Sequence, residues 1–295
     1  MNKKFARLSS FLPALAMGML LLASWRIPAN NSLLSPILTQ AAVEAAVFLL
    51  PFLLYAGLRG TQDQPQKLRL GAMKPRMLPL CISAAVAVSL LSFFLNYLLS
   101  FFSDHTLTQD TAYGAFTRYG SEKTILIVLV VAILPALVEE LFFRGAVLSS
   151  QEPQGQLTAI YISALCFAMI HGSAANFFGP LAAGLVFGYL AVVLGSVWPA
   201  IIGHMTNNLL YLLMGYFLKR YAAFGIWPYF IICTAALFFI FVYLAASSFQ
   251  KQLEKGRIPR LKGGGMVSAL VKTALTPGVW AVTILFIVKT VFLRS

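Results

Sequence analysis

The chain has 295 residues, 59% of them hydrophobic and 11% charged, with a mean hydropathy of +0.82. A soluble domain carries roughly 25% charged residues, so the composition excludes a soluble fold and indicates an all-α, polytopic transmembrane helix bundle. The net charge of +13 comes largely from Lys and Arg clusters at 3–7, 59–76 and 251–272, the pattern of cytoplasmic flanks of membrane helices. No soluble domain presents them to nucleic acid, so the partner they imply is the lipid bilayer.

A membrane-spanning helix needs about 20 apolar residues. In chain order the candidates are Phe11–Trp25, Leu33–Leu58, Leu78–Phe102, Thr124–Leu148, Leu157–His171, Phe177–Leu194, Pro199–Leu218, Pro228–Ser248 and Thr276–Leu293. That predicts eight or nine spans in one integral membrane domain, 1–295, with a motif-bearing core at 124–218. The first stretch resembles a signal peptide, but Ala23-Ser24-Trp25 is a poor cleavage site, so an uncleaved first span is expected. The basic loops alternate correctly if the N-terminus is cytoplasmic. The 103–123 loop, with Asp104, Asp110 and Glu122 against Arg118 and Lys123, then falls outside, although Lys219 and Arg220 break the pattern. Gly263-Gly264-Gly265 marks a flexible break in the last basic loop. The three cysteines, Cys81, Cys166 and Cys233, are isolated in apolar segments and form no disulfide or CxxC pattern.

The polar residues inside these spans are few. Of nine acidic residues only Glu44, Glu139 and Glu140 fall in apolar stretches; Asp63, Glu152 and Glu254 join the others in loops. Of three histidines, His105 is in a loop while His171 and His204 lie in or at the ends of spans. Arg144, Asn96, Asn207 and Asn208 complete the inventory. A charge near the bilayer centre costs about 2.5–3.5 kcal/mol or more, so three charges at 139, 140 and 144 point to intramembrane chemistry. Glu140 and Arg144 are i,i+4 and share a face, where the guanidinium can hold the carboxylate. Glu139 points about 100° away and is left free. His204 and Asn208 are also i,i+4 on one span, and His171 closes another. Each element has a plainer reading: a helix-packing His or Asn, a structural ion pair, or an interfacial Glu44. Jointly these readings require several unrelated expensive groups in four neighbouring spans.

Glu139-Glu140-Leu-Phe-Phe-Arg144 reads as EExxxR, Phe167-Ala-Met-Ile-His171 as FxxxH, and His204-Met-Thr-Asn-Asn208 as HxxxN. In this order and spacing the motifs resemble those of the CAAX-protease and bacteriocin-processing (CPBP) family, which includes type II CAAX prenyl endopeptidases. The resemblance implies an intramembrane endopeptidase with Glu139, His171, His204 and Asn208 as its catalytic set and Glu140 and Arg144 in support. Its substrates would be membrane-associated peptides or proteins, CAAX-type prenylated ones included. The compact chain points to a multi-pass protein of a prokaryotic cell membrane.

Two schemes are open. In one, Glu139 is the general base for a water, a histidine helps hold that water or protonates the leaving amine, and Asn208 donates to the oxyanion. In the other, His171 and His204 with a glutamate hold zinc or another divalent ion, as in a metalloprotease. No HExxH is present, no aspartate lies in a span, and Ser196 lacks the second glycine of a GxSG motif, so zincin, two-aspartate and rhomboid-like serine mechanisms have no support. A transporter or proton-coupled carrier also uses intramembrane carboxylates, but its inverted repeats are not visible. An inactive immunity or scaffold protein is the other alternative. One tension concerns depth. With simple spans, His171 and His204 differ by about 12 Å along the membrane normal, so a helix must be tilted, broken or re-entrant, with Gly172 and Gly203 as the candidate break points.

Overall fold

Apolar runs in a bilayer satisfy their backbone hydrogen bonds only as helices, and the described part of every predicted span is mainly helical. The computed structural model describes residues 3–26, 35–60, 67–100, 123–221, 225–261 and 264–292. Asp63, Asp104, His105, Asp110, Arg118, Glu122 and Gly263 lie outside them. In chain order the helices are α1 (Lys3–Ser9), α2 (Leu12–Arg26), α3 (Ser35–Arg59), α4 (Leu78–Ser100), α5 (Thr124–Gln154), α6 (Gln156–Ile170), α7 (Phe178–Leu194), α8 (Trp198–Tyr221), α9 (Trp227–Glu254), α10 (Met266–Ala274) and α11 (Pro277–Ile287). A π-helical turn, Val288–Phe292, continues α11. No strand occurs among the described residues.

Among the described residues, five stretches are long and apolar enough to cross a membrane alone: Lys4–Ser24, Ile37–Arg59, Pro75–Leu99, Thr124–Gln154 and Trp227–Glu254. The pair Met266–Ala274 and Pro277–Phe292, bent by 64°, makes a sixth if taken as one span. The expected eight or nine is reduced for a physical reason. Helices α6 and α7 have 15 and 17 residues, about 22 and 25 Å at 1.5 Å per residue, against a hydrocarbon core of about 30 Å. Helix α8 is long enough at 24 residues but carries His204, Asn207 and Asn208 among its apolar side chains.

Helix α5 is not the uninterrupted α-helix that its sequence predicts. It widens into π-helical turns at Val128–Ile133 and Leu141–Val147, with a regular segment, Leu134–Glu140, between them. Pro135 explains the first: it has no N–H to donate and its ring crowds the carbonyl of Val131, so the turn before it opens. The second contains Arg144, and such turns are frequent at functional sites.

Small residues let α6, α7 and α8 approach closely. A Cβ on Gly184 would stand 2.9 Å from Ala164 Cα, and one on Gly203 would stand 2.6 Å from Phe187 Cε1. Close backbone approach of this kind substitutes for the hydrophobic driving force that helices in lipid lack. Gly203 is therefore a packing residue inside a continuous α8, not the break expected there. Gly172 is the break: with φ of +64° it follows the end of α6, in a conformation that a side chain disfavours.

Candidate active site

Glu140 and Arg144 are both 0% exposed. Arg144 Nη1 donates to Glu140 Oε1 at 3.0 Å and its Nε makes an ion contact with Oε2 at 2.9 Å, a two-point grip on the carboxylate. The guanidinium also lies 4.6 Å from the centroid of the Phe167 ring and donates to the Gly184 carbonyl at 3.4 Å. The pairing of Glu140 with Arg144 thus appears as the sequence spacing predicts. The structure adds a third member: His204 Nδ1 lies 2.9 Å from Glu140 Oε1. An ionised carboxylate only accepts, so His204 Nδ1 carries a hydrogen and Nε2 is left as its other working atom.

His171 is fixed in a parallel way. It caps α6, and its Nδ1 lies 2.8 Å from the Phe167 carbonyl oxygen. A carbonyl accepts, so Nδ1 is again the protonated nitrogen and Nε2 is free. Phe167 stands edge-on to both imidazoles, with ring centroids 5.0 Å from His171 and 5.5 Å from His204. Phe167 thus contacts the Arg144 guanidinium and both imidazoles.

A cavity of about 100 Å³ opens beside these groups, room for a few waters. His171, His204, Asn208, Asn207 and Phe167 line it. Asn207 Nδ2 donates to Asn208 Oδ1 at 3.3 Å, which occupies the Asn208 carbonyl and leaves its amide hydrogens as donors. The far wall comes from α4 and the start of α7. Ser92 Oγ donates to the Gly179 carbonyl at 3.0 Å, and Asn96 Nδ2 donates to Asn176 Oδ1 at 3.1 Å and to Tyr211 Oη at 3.4 Å.

Of the residues expected to converge, the structure brings His171, His204 and Asn208 to one cavity. Glu139 is not among the cavity's lining side chains. It is 8% exposed, and its Oε2 is buried without a hydrogen-bond partner. Glu44, expected to be interfacial or structural and without a polar partner, likewise has a buried, unpartnered Oε2. The two histidines have the anchored Nδ1 of metal ligands. Among the described residues, however, no three His, Cys, Asp or Glu side chains come together to hold a metal. The His₂Glu set considered from sequence is thus incomplete here.

Sequence reasoning gave no role to Phe167, Ser92 or Asn176. The signals were present. Phe167 is i,i+4 from His171, and Ser92 is i,i+4 from Asn96, which makes a polar stripe on an otherwise apolar α4.

No curated protein and no solved structure matches the chain. A family model described as type II CAAX prenyl endopeptidase Rce1-like matches residues 121–210. That stretch is under half of the chain, and it contains Glu139, Glu140, Arg144, His171, His204 and Asn208. Residues 121–210 are thus similar to type II CAAX prenyl endopeptidases, in a chain with several helices long and apolar enough to cross a membrane.

Proposed function

We propose that the chain is an intramembrane endopeptidase that hydrolyses membrane-associated peptides, CAAX-type prenylated ones among them. The observation that carries this reading is one small polar cavity where His171, His204 and Asn208 meet inside an apolar bundle. Each has its other polar atom already engaged, by the Phe167 carbonyl, Glu140 and Asn207 respectively. Side chains so held are preorganised, which is what stabilising a transition state requires.

In the proposed reaction the water lies in the cavity against His171 Nε2. Glu139 takes its proton while the water oxygen attacks the scissile carbonyl carbon. The amide of Asn208 donates to the oxygen that becomes negative. The proton held by Glu139 then passes to the departing amine as the C–N bond breaks. Glu140 does not touch the reacting atoms; it holds His204 in place, with Arg144 holding Glu140. The scheme requires Glu139 to turn toward the cavity when substrate and water enter. It routes no step through a metal, since the described donor set is two imidazoles.

The test is Glu139→Gln in purified protein reconstituted in nanodiscs, assayed with a fluorogenic farnesylated CAAX peptide. A loss of about 10²–10⁴ in kcat is expected, the usual contribution of a general base. Cleavage at the wild-type rate would remove Glu139 from the mechanism. Membrane peptides that accumulate in cells carrying Glu139→Gln, relative to wild type, would identify the natural substrate.

A further inference from the structure

The last described helix ends against the site. Helix α11 runs beside α6, with Thr283 Oγ1 3.4 Å from Met169 Sδ and the Phe286 ring 5.9 Å from that of Phe177. Its final π-helical turn, Val288–Phe292, therefore reaches the level where α6 stops at His171. There the Lys289 side chain lies across Gly172: a Cβ on Gly172 would fall 2.5 Å from Lys289 Cδ and 2.6 Å from its Cε. Gly172 thus does two things. It accepts a φ of +64°, and it leaves the space that the lysine stem fills.

Lys289 is partly buried, and no hydrogen bond or ion pair from its ammonium to a described residue is present. Glu140 is held by Arg144 and His204, and among the described residues no ion pair joins Lys289 to Glu139 or Glu44, whose Oε2 atoms have no hydrogen-bond partner. A lysine near the end of a membrane helix ordinarily runs its stem outward to bring the charge to the headgroups. This stem lies over Gly172, the residue that follows His171. Only partly buried, Lys289 keeps its ammonium open to an anion that enters beside His171.

We propose that Lys289 is a substrate-binding residue, its ammonium receiving the free C-terminal carboxylate of the peptide cut at the His171–His204 cavity. The proposal rests on the endopeptidase reading. A peptide ending in a CAAX sequence brings one obligatory anion into the membrane, its terminal carboxylate, only a few residues from the bond to be cut. Arg144, the other cation at the site, is saturated by Glu140. Lys289 is thus the cation placed to receive that carboxylate, and doing so sets the direction in which the peptide lies.

The experiment compares a farnesylated CAAX peptide having a free C-terminal carboxylate with the same peptide amidated, in phosphatidylcholine nanodiscs. Wild type should show a KM about 10- to 100-fold lower for the acid, the worth of one charge-assisted hydrogen bond. Lys289→Met keeps the apolar stem, and it should raise the KM for the acid to that of the amide while kcat stays near wild type. Lys289→Arg should restore most of the preference. A merely structural or headgroup-seeking lysine would leave the acid-to-amide ratio unchanged in Lys289→Met, and that result overturns the proposal. So does a preference that tracks added phosphatidylglycerol instead of the peptide's carboxylate, which would make a lipid phosphate the occupant. If wild type cuts neither peptide, the endopeptidase reading fails, and binding decides Lys289 separately. Fluorescent peptide should then bind wild type more tightly as acid than as amide and bind Lys289→Met equally in both forms; equal binding to wild type overturns the proposal.

Discussion

Glu140→Met separates the two glutamates that the sequence places side by side. Methionine has similar length and no charge, so the change leaves Arg144 buried at 0% exposure with neither its 3.0 Å hydrogen bond nor its 2.9 Å ion contact. Breaking a buried pair by removing one partner costs about 3–5 kcal/mol. His204 Nδ1 also loses its acceptor, which adds about 1–3 kcal/mol. The guanidinium keeps the Gly184 carbonyl and the Phe167 face, so the expected loss is at the lower end, about 4 kcal/mol. That is nearly a thousandfold in the folding equilibrium. Glu139→Gln is the control. The Oε2 of Glu139 has no partner to lose, so stability should change by no more than about 1 kcal/mol. Equilibrium unfolding in mixed micelles with rising dodecyl sulfate, followed by circular dichroism, measures both. The double variant Glu140→Met/Arg144→Met should be more stable than Glu140→Met alone, since no uncompensated charge remains, yet still impaired in cleavage because His204 is no longer held. A Glu140→Met protein within about 1 kcal/mol of wild type would refute the assignment of Glu140 as a brace.

The remaining predictions concern packing, the oxyanion donor and metal. Gly184→Val drives side-chain carbons into Ala164, whose Cα already lies 2.9 Å from the position of a Cβ, and should cost about 1–3 kcal/mol or more of stability in the same unfolding assay. Asn208→Asp exchanges the donating amide for a carboxylate and should lower kcat by about 10²–10³ with KM little changed. Asn207→Ala only frees the Asn208 carbonyl and should have a much smaller effect, so equal losses in the two variants would count against Asn208 as the oxyanion donor. Protein dialysed against a chelator should keep its activity, because among the described residues His171 and His204 are the only His, Cys, Asp or Glu side chains lining the cavity. Stoichiometric zinc that leaves together with activity would show that a further ligand completes the site and would overturn the metal-free scheme.

The fold was legible because each helix is an apolar run bounded by charge, Pro or Gly, and one-dimensional composition carries that signal. The boundaries of α6, Gln156–Ile170, and α7, Phe178–Leu194, lie within a residue or two of those read from sequence. The Glu140–Arg144 pair was legible for a similar reason, since both partners lie on one turn of one helix. The attachment of His204 to Glu140 was not. It joins residues 64 positions apart, and the pattern along either helix says nothing about which of two adjacent glutamates faces the other helix. The π-helical turns were also hidden. Pro135 signals a disturbance, but the second widened turn, Leu141–Val147, contains no proline, and its only glycine, Gly145, does not by itself announce one. Lys289 was read as part of a plain terminal span because sequence order cannot show that α11 ends beside Gly172.

The depth conflict between the two histidines resolves through helix length. At about 22 Å, α6 is too short to cross the hydrocarbon core, so one of its ends must lie inside the apolar layer or within the protein at that depth. The end that carries His171 is the one that meets α8 partway along its length, beside His204 and Phe167. A backbone end at that depth is tolerated only where its polar groups are satisfied by protein or lie in a wet cavity. The turn after His171 meets that condition: Gly172 N–H donates to the Met169 carbonyl at 2.9 Å, and Asn176 N–H donates to Ser173 Oγ at 3.3 Å. The cavity lies at this end, with His171 and Asn176 in its wall. A helix that stops short therefore serves the chemistry directly. It sets an imidazole at the depth of its partner on a neighbouring helix, and the turn that ends it brings the polar groups a water needs into an apolar bundle.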